Sequence, residues 1–280
     1  MELIMKKLPY FDYLLASLNS DNETLEKSFG RHVHWGYWES PQHATLSVED
    51  FAEAAENLSK LLYNVTGISD GQAVLDVGCG FGGTIASLNE NYTGMRLVGL
   101  NIDERQLERA RQNIHPIGNN TIEFQHGDAC ALPFSDHSFD IVLAVECIFH
   151  FPSREQFFKE AYRVLKPGGY LALSDFTLNS LLPTGLRGQI NNGFFGACDI
   201  GYSKDKYHEL AQANNFSVCV DRDITQNTLP TYRYLRSLFV QKDQQKTRQS
   251  SPFSAIYSTL AIEVASRLRL LNYYVFSFNK

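Results

Sequence analysis

Four glycines and one carboxylate lie close together early in the chain. The apolar run 73–77 (Ala-Val-Leu-Asp-Val) is followed by glycines at positions 78, 80, 82 and 83. A strand that turns at once into a helix lets backbone N–H groups approach a ligand, because glycine has no side chain to block the approach. The spacing Gly78-x-Gly80-x-x-Gly83 satisfies a pattern found in dinucleotide sites. We therefore predict a ligand-binding loop here, and a packing turn without a ligand is the plain alternative.

Two polar residues beside this loop narrow the choice of ligand. Asp76 stands two residues before the first glycine, where its charge would repel a pyrophosphate but attract a cationic partner such as the ammonium of a methionyl group. Asn101 ends the second apolar run, at the place where a dinucleotide fold favours Asp or Glu for the ribose. Both residues disfavour a nicotinamide-dependent oxidoreductase, which stays open as the alternative of another class.

A second group of reactive side chains follows two later strands. Glu146 and His150 come after the predicted strand 139–144, and Asp175 ends the predicted strand 170–175. The carboxyl ends of parallel strands meet at one edge of a sheet, so these side chains are expected near the glycine loop. His150, with an ordinary pKa of ~6.5, suits a general base that Asp175 would orient. A histidine packed against the ligand and an aspartate that caps a loop are the plainer alternatives.

These residues are positioned by strands that alternate with helices. The predicted strands cover residues 73–77, 96–100, 121–125, 139–144 and 170–175, with helices at 83–88, 103–114 and 154–165 between them, and two further strands follow at 216–221 and 272–278. This alternation predicts an α/β fold: a doubly wound, mostly parallel seven-stranded sheet of Rossmann-like type with a helical cap. The last strand is expected to add antiparallel at the edge of the sheet.

The flanking segments are predicted to cover the ligand edge of the sheet. Residues 1–70 are interpreted as an amino-terminal helical lid, with helices near 9–19 and 47–66. The core is predicted to span 71–280, with a cap insertion at about 176–250. Aromatic side chains of these segments are expected to wall an apolar pocket: Trp35, Tyr37, Trp38, Phe194, Phe195, Tyr202, Tyr232 and Tyr234.

Composition and cysteine spacing disfavour several classes of protein. The net charge of −6 and the pI near 5.8 argue against a nucleic-acid partner. No stretch reaches ~18 apolar residues, so stable membrane insertion is not expected, nor is a secretory signal. Five cysteines without a CxxC pair indicate reduced thiols in a cytoplasmic protein without a bound metal. The apolar helix near the amino terminus is able to pack against a second subunit, so a homo-oligomer stays open.

Four segments, between about residues 70 and 176, resemble one family, the class I S-adenosylmethionine-dependent methyltransferases. In chain order these are residues 74–82 for motif I, residues 127–129 with Leu132-Pro133-Phe134 for the adenine-binding segment, residues 138–142 for the fourth strand, and residues 163–169 for the turn before the fifth strand. The resemblance implies S-adenosylmethionine as cofactor, with S-adenosylhomocysteine as product.

The resemblance extends to small-molecule methyltransferases of the tocopherol, mycolic-acid and natural-product sugar type. Residues 34–39 are similar to their amino-terminal H-x-G-Y-W element, which closes over the cofactor, and residues 99–106 to their second-strand segment. In that segment neutral Asn101, together with Gln106, replaces an acidic ribose ligand. The cofactor-binding residues implied are Tyr37, Asp76, Gly78, Cys79, Gly80, Asn101, Ile102, Gln106, Gly127, Asp128, Ala129 and Glu146.

The same resemblance implies a reaction. The sugar O-methyltransferases of this subgroup have a His and an Asp at the positions that match His150 and Asp175. We therefore expect methyl transfer in secondary metabolism to a small hydrophobic natural-product or lipid-like acceptor, by O-methylation with His150 as general base. C-methylation of a prenyl or aromatic carbon is the alternative, and N-methylation comes third. A cofactor-binding protein without catalysis also stays open.

Overall fold

The computed structural model describes residues 8–18, 22–179, 198–243 and 252–280 of the chain. Its centre is a seven-stranded sheet in the order β3-β2-β1-β4-β5-β7-β6. The strands are β1 (Ala73–Val77), β2 (Arg96–Asn101), β3 (Thr121–His126), β4 (Phe139–Val145), β5 (Leu165–Leu178), β6 (Ser217–Asp223) and β7 (Leu271–Asn279). The first five pair in parallel, whereas β7 pairs antiparallel with β5 and β6. This is the doubly wound, mostly parallel α/β fold that the sequence predicts.

Helices cover both faces of the sheet. They are α1 (Pro9–Leu18), α2 (Glu23–Phe29), α3 (Val48–Asn64), α4 (Gly83–Asn91), α5 (Glu104–Asn113), α6 (Arg154–Val164), α7 (Lys204–Ala213), α8 (Thr225–Asp243) and α9 (Pro252–Arg267). Successive side chains of a strand point to opposite faces. In β1, Val74 packs with the layer of α3, α4, α5, α8 and α9, while Leu75 and Val77 pack with the layer of α6 and α7.

The order of the strands places a crevice at one edge of the sheet. The sheet grows outward from β1 in one direction through β2 and β3, and in the other through β4 and β5. Connections from the carboxyl ends of β1 and β4 therefore diverge to opposite sides, which opens a ligand crevice between them. The glycine loop follows β1 and the segment 146–150 follows β4. The glycine loop thus meets Glu146 and His150 of the second predicted group at this crevice.

The last strand departs from the predicted topology. β7 pairs antiparallel as expected, but it lies between β5 and β6, so the prediction of an edge position was wrong. Val275, Phe276 and Phe278 are fully buried, as suits a strand with a neighbour on each side. The edge strand beyond β7 is β6, where charged residues follow Cys219 and Val220 and most side chains are exposed.

The amino-terminal lid contains one helix that the sequence did not predict. α2 begins after Asn22, whose side chain accepts a hydrogen bond from the Leu25 amide at 3.0 Å. The seven residues of α2 make barely two turns, so its apolar periodicity is too short to read from sequence. Leu14 and Trp38 of the lid pack with Tyr234 of α8 in an apolar cluster of their own. The lid is thereby fixed to the carboxyl-terminal helices.

Two described elements fall within the predicted cap range of about 176–250. Residues 204–213 form α7 and residues 217–223 form β6, both within the sheet and its covering layer. Residues 180–197, which include the predicted pocket residues Phe194 and Phe195, lie outside the described residues. Within the described ranges, no helix has both the length and the apolar character needed to cross a membrane.

Candidate active site

The glycine loop after β1 adopts a backbone that only glycine accepts readily. Gly78, Gly80 and Gly82 have φ angles of +75°, +56° and +81°. A Cβ atom on Gly78 would also lie 2.8 Å from the Cβ atom of Cys147. The amides of Gly78 and Cys79 donate to the Leu100 carbonyl at 2.7 and 3.1 Å, which folds the loop back on the end of β2. The backbone itself thus forms one wall of an open cleft.

Eleven of the twelve predicted cofactor-binding residues line this cleft. They are Asp76, Gly78, Cys79, Gly80, Asn101, Ile102, Gln106, Gly127, Asp128, Ala129 and Glu146. The opposite wall is the segment 31–34, and α1 contributes Tyr10 and Phe11. The sequence therefore located the cleft, although it did not identify the residues that α1 adds.

The surroundings of the Asp76 carboxyl group indicate which kind of ligand fits the cleft. Its carboxyl group is 2% exposed, and within the described part of the chain Oδ1 has no hydrogen-bond partner. Burial raises the pKa of Asp76 to about 7. A buried carboxylate without a partner is costly, and a ligand ammonium would supply the missing charge and donors. The cleft thus suits a cationic amino-acid group beside the glycine loop and is unsuited to a pyrophosphate.

Neutral amides form the wall where a nucleoside sugar is expected. The Asn101 amide donates to Gln106 Oε1 at 2.9 Å, and Asn101 Oδ1 accepts from the Ile102 amide at 2.9 Å. Asp103 also lines the cleft, but Arg105 donates to both of its oxygens, at 2.9 and 2.7 Å. Sequence reasoning missed Asp103, whose signal is its position as the N-cap of α5.

Tyr37, predicted to contact the cofactor, does not line the cleft. Tyr37 is buried in the apolar core, where its hydroxyl accepts a hydrogen bond from Arg222 at 2.9 Å. Its amide donates to the Ala54 carbonyl at 2.8 Å, which ties this part of the segment to α3. His34, three residues earlier, lines the cleft instead. Of the element at residues 34–39, it is therefore His34 that contributes to the lining of the cleft.

An apolar cavity of about 210 Å³ adjoins the cleft. A single water needs only about 10–15 Å³ of such space, so the cavity can hold a sizeable organic group. Tyr10, Val33, His34, Glu146 and His150 line both the cleft and the cavity. The remaining aromatic residues of its wall are Tyr13, Phe29, Trp35, Phe51, Phe149 and Phe176. Of the predicted aromatic residues that the structure describes, Trp35 alone is part of this wall.

His150 lies where the cleft and the cavity meet. It ends a short 3₁₀ turn, Ile148–His150, directly after β4. Its Nε2 atom is 3.3 Å from the Tyr10 hydroxyl, and its Nδ1 atom is 3.9 Å from Cys198 Sγ. Neither neighbour is signalled by the sequence, because α1 and residue 198 reach His150 only through tertiary packing. His150 therefore lines the predicted cleft, but Asp175, its predicted partner, is not among these neighbours.

Asp175 does not orient His150, which corrects the predicted pair. Asp175 is fully buried, and its Oδ2 accepts hydrogen bonds from Arg154, at 2.9 Å, and from the Tyr207 hydroxyl. Its Oδ1 accepts from the Phe176 amide at 2.7 Å. β5 continues to Leu178, so Asp175 lies inside the strand and points away from the crevice toward α6 and α7.

Glu146 is the carboxyl group that does lie at the junction. Its Oε2 accepts hydrogen bonds from the Trp35 amide at 2.9 Å and from the Tyr273 hydroxyl at 2.5 Å. The backbone amide of Glu146 donates to Ser174 Oγ at 3.0 Å. The φ angle of Glu146 is +49°, in the left-handed region that residues other than glycine seldom adopt. Burial raises the pKa of Glu146 to about 8, against those hydrogen bonds. Glu146 thus lies at the floor of the site and also carries a titratable proton there.

Comparison with known proteins identifies the family. Residues 75–173 match the family described as "Methyltransferase domain". Methyltransferase GfsG of Streptomyces halstedii is 34% identical over 216 residues, which cover 75% of this chain and 74% of that protein. An O-methyltransferase of Pyrenophora dematioidea is 32% identical over 199 residues, 71% of this chain and 73% of that protein. The chain belongs to this methyltransferase family.

A solved structure agrees with this assignment at the level of the fold. Mycolic acid cyclopropane synthase CmaA1, complexed with SAH and CTAB, has a TM-score of 0.78 at 19% identity, covering 98% of the methyltransferase and 99% of that chain. The methyltransferase uses S-adenosylmethionine and acts on small molecules. The nicotinamide-dependent oxidoreductase considered from the glycine pattern is therefore discarded. Asp76, Asn101 and Gln106 line the cleft and have the chemistry that this cofactor requires.

Proposed function

We propose that the methyltransferase methylates a hydroxyl group of a small hydrophobic acceptor, of natural-product or lipid-like type, with His150 as general base. The observation that carries this proposal is the position of His150 on the boundary between the cofactor cleft and the apolar cavity. An acceptor in the cavity would present its reactive end to that boundary. The O-methyltransferase among the relatives is consistent with this choice of atom.

The lining of the cavity defines the chemistry of the acceptor. No Lys, Arg or Asp among the residues that the structure describes contributes to this wall. A phosphate or carboxylate on the acceptor would lose its hydration without a compensating cation, which is strongly unfavourable. Glu146, His150 and Tyr10 lie at the end that meets the cleft, while the uncharged polar residues Asn22, Thr24 and Thr231 line other parts of the wall. The expected acceptor is an uncharged, mostly apolar molecule with one hydroxyl at its reacting end.

The proposed step needs positioning and one proton transfer. The cofactor supplies an electrophilic methyl group on a sulfonium sulfur. As the acceptor oxygen forms its bond to the methyl carbon and the carbon–sulfur bond breaks, the hydroxyl proton moves to the His150 ring. The Tyr10 hydroxyl, 3.3 Å from Nε2, steadies the ring in this orientation. The imidazolium afterwards returns its proton to solvent, which restores the base for the next turnover.

A second candidate, C-methylation, is favoured by Glu146. This carboxyl group lines the same junction, and its pKa of about 8 allows it to take or give a proton near neutrality. Trp35, Phe149 and Phe176 nearby present aromatic rings that attract a developing carbocation. In this case Glu146, instead of His150, would accept the proton that leaves the methylated carbon. The two candidates thus assign the base to different residues.

Replacing each base in turn distinguishes the candidates. Methyl transfer from ¹³C-methyl-labelled cofactor is measured on a panel of apolar alcohols and phenols, and NMR identifies the product as O–CH₃ or C–CH₃. His150→Ala is expected to lower kcat by roughly 10²–10⁴-fold, the usual contribution of a general base. His208→Ala removes a surface histidine that pairs with Asp221 and serves as the matched control.

Cofactor binding must be followed separately, because His150 also touches the cleft. Calorimetry with S-adenosylhomocysteine should give Kd values within about threefold of each other for the wild type and His150→Ala, since a general base contributes chiefly in the transition state. Near-normal turnover of His150→Ala would remove His150 from the mechanism. A C–CH₃ product that is lost in Glu146→Gln would establish the second candidate instead.

A further inference from the structure

One carboxylate holds the segment 31–35 over the cofactor cleft. Glu56 lies in the middle of α3, and its Oε2 accepts a hydrogen bond from His32 Nε2 at 2.8 Å. Its Oε1 accepts from the Ser87 hydroxyl of α4 at 2.5 Å. The guanidinium of Arg31 lies 3.2 Å from the same carboxylate. Glu56 therefore joins α3, α4 and the segment 31–35, which we call the roof segment.

The ionised form of Glu56 dominates at neutral pH. Burial raises the pKa of Glu56, but the hydrogen bonds from His32 and Ser87 and the charge of Arg31 lower it to about 2. Burial lowers the pKa of His32, so its ring is neutral and its Nε2 carries the hydrogen that Glu56 accepts. Hydrogen bonds to an ionised acceptor are roughly twice as strong as neutral ones. This anchor is accordingly the strongest polar link between the roof segment and α3.

A second link from α3 fixes the next histidine of the roof segment. His34 Nδ1 lies 2.9 Å from the Trp35 carbonyl, which can only accept, so Nδ1 carries the hydrogen. His34 Nε2 therefore accepts from the Ser59 hydroxyl at 3.1 Å. Glu56 and Ser59 are three residues apart and occupy one face of α3. Together they set the positions of two side chains that line the cofactor cleft, His32 and His34.

Gly83 shows how closely the roof segment approaches α4. A Cβ atom on Gly83 would lie 2.4 Å from His32 Nδ1 and 2.5 Å from the Arg31 carbonyl oxygen. Its φ angle is not among the positive values of the loop, so an alanine would fit the backbone and collide only with the roof segment. The last glycine of the motif thus leaves space for the roof, whereas the earlier ones allow the turn.

We propose that Glu56 is a positioning residue that holds the roof segment closed over S-adenosylmethionine. Glu56 does not line the cleft, so it acts through His32 and Arg31, which do. Without it, the roof segment would lose its charged anchor and the cofactor would lose one wall of its site. The inference concerns the cofactor end alone and is independent of which acceptor atom is methylated.

Three variants at two positions test the anchor. Glu56→Ala is expected to weaken S-adenosylhomocysteine binding about tenfold by calorimetry, the equivalent of one lost charge-assisted hydrogen bond. Glu56→Gln should stay within about threefold, because its amide can accept from His32 and donate to Ser87. Glu90→Ala is the matched control: Glu90 binds the same Arg31, at 2.8 Å, but does not touch His32.

Hydrogen exchange of the ligand-free protein provides a readout that does not depend on turnover. The amides of residues 31–35 should exchange faster in Glu56→Ala than in Glu90→Ala, with the helices of the core unchanged. Gly83→Ala should produce the same faster exchange of residues 31–35, although alanine favours the helix itself; this variant therefore tests the roof segment even if Glu56→Ala does not fold. Because Gly83 itself lines the cleft, exchange and not affinity is its readout. Wild-type exchange of residues 31–35 in Gly83→Ala, or equal losses of affinity in the Ala and Gln variants of Glu56, would overturn the proposal.

Discussion

The cofactor cleft and the acceptor cavity lie side by side, yet they are built in different ways. The cleft is formed mainly by short segments that directly follow β1, β2, β3 and β4. The cavity collects side chains from α1, α2, the end of β5, residues 198–200, α8, α9 and β7. Strand order alone brings the first set together, whereas the second set depends on how distant segments pack. Sequence motifs therefore identify the donor of the methyl group but do not identify the acceptor.

The two regions also differ in charge. The charged residues that line the cleft include Asp76, Asp103, Asp128, Arg31 and Arg105. In the described part of the cavity wall the only carboxyl group is that of Glu146. A polar cleft can recognise an ammonium and a sugar by paired donors and acceptors, while an apolar cavity selects by shape and by excluding charge. Variants that affect one region and spare the other are the direct test of this division.

Replacement of Asp175 is expected to have the largest effect, on stability and on acceptor binding. Its carboxylate pairs with Arg154, which is 1% exposed and also donates to the Asp199 carbonyl at 2.6 Å. Asp175→Asn leaves that buried guanidinium without its buried partner, so the free energy of unfolding in urea should fall by roughly 3–5 kcal/mol. Since Arg154 holds the segment that carries Cys198, the KM for the acceptor should also rise, with the Kd for S-adenosylhomocysteine unchanged within about twofold.

Asp199→Asn is the matched control for that prediction. Asp199 binds the same guanidinium at 3.0 Å, but its side chain is 52% exposed. An exposed ion pair contributes roughly 0–1 kcal/mol, so the loss of stability should be much smaller. If Asp175→Asn weakens cofactor binding as much as acceptor binding, the two regions are not separable in the way that their construction suggests.

Replacement of Asp76 is expected to affect cofactor binding and to spare acceptor binding. Asp76→Asn should weaken S-adenosylhomocysteine binding by about 10- to 100-fold, since it removes a charge-assisted hydrogen bond of roughly 1.5–3 kcal/mol. The KM for the acceptor, measured at saturating cofactor, should not change. A loss of acceptor affinity of similar size would contradict the assignment of Asp76 to the cofactor alone.

The raised pKa of Asp76 adds a test by pH. Burial raises its pKa from 3.8 to about 7, so the ligand-free protein is most stable with Asp76 protonated and loses stability as pH rises from about 4 through 7. Asp76→Asn should remove this loss and unfold at a higher temperature than the wild type at pH 8. Cofactor binding needs the ionised form and should strengthen between about pH 6 and 8 in the wild type only. A variant that is both less stable and unaltered in its pH dependence would contradict this account.

The predictability of the site follows the same division. Asp76 is the next-to-last residue of β1, Gly78 directly follows β1, and Asn101 ends β2, so their place at the crevice is fixed by local sequence and the parallel sheet. The same reasoning placed Asp175 at the end of a strand, and that prediction was wrong. β5 runs three residues further, and the pleat turns the Asp175 side chain to the other face of the sheet. Sequence locates the end of a strand only to within a few residues, and a shift of one reverses the face.

The fold was more predictable than the cavity for a related reason. Strand and helix alternation from β1 to β5 appears as apolar runs separated by glycine and polar turns, so both the elements and their parallel pairing could be predicted. The insertion of β7 between β5 and β6 is a choice between two antiparallel arrangements that one strand's sequence does not distinguish. Tyr10 and Cys198 reach His150 through packing over 140 and 48 residues of sequence, for which no local pattern exists.

Removal of the Tyr10 hydroxyl is expected to have the smallest effect, on kcat. It is also the sharpest test of the boundary between the cofactor cleft and the acceptor cavity. Its hydroxyl lies 3.3 Å from His150 Nε2, and burial raises its pKa well above the usual value, so it acts as a neutral hydrogen-bond partner. Tyr10→Phe keeps the ring and removes one hydrogen bond of about 1 kcal/mol, so kcat should fall about fivefold. The acceptor KM and the Kd for S-adenosylhomocysteine should both stay within about twofold. If instead both affinities fall together, the Tyr10 hydroxyl couples the cleft to the cavity, and the boundary between them is a shared structural element of the site.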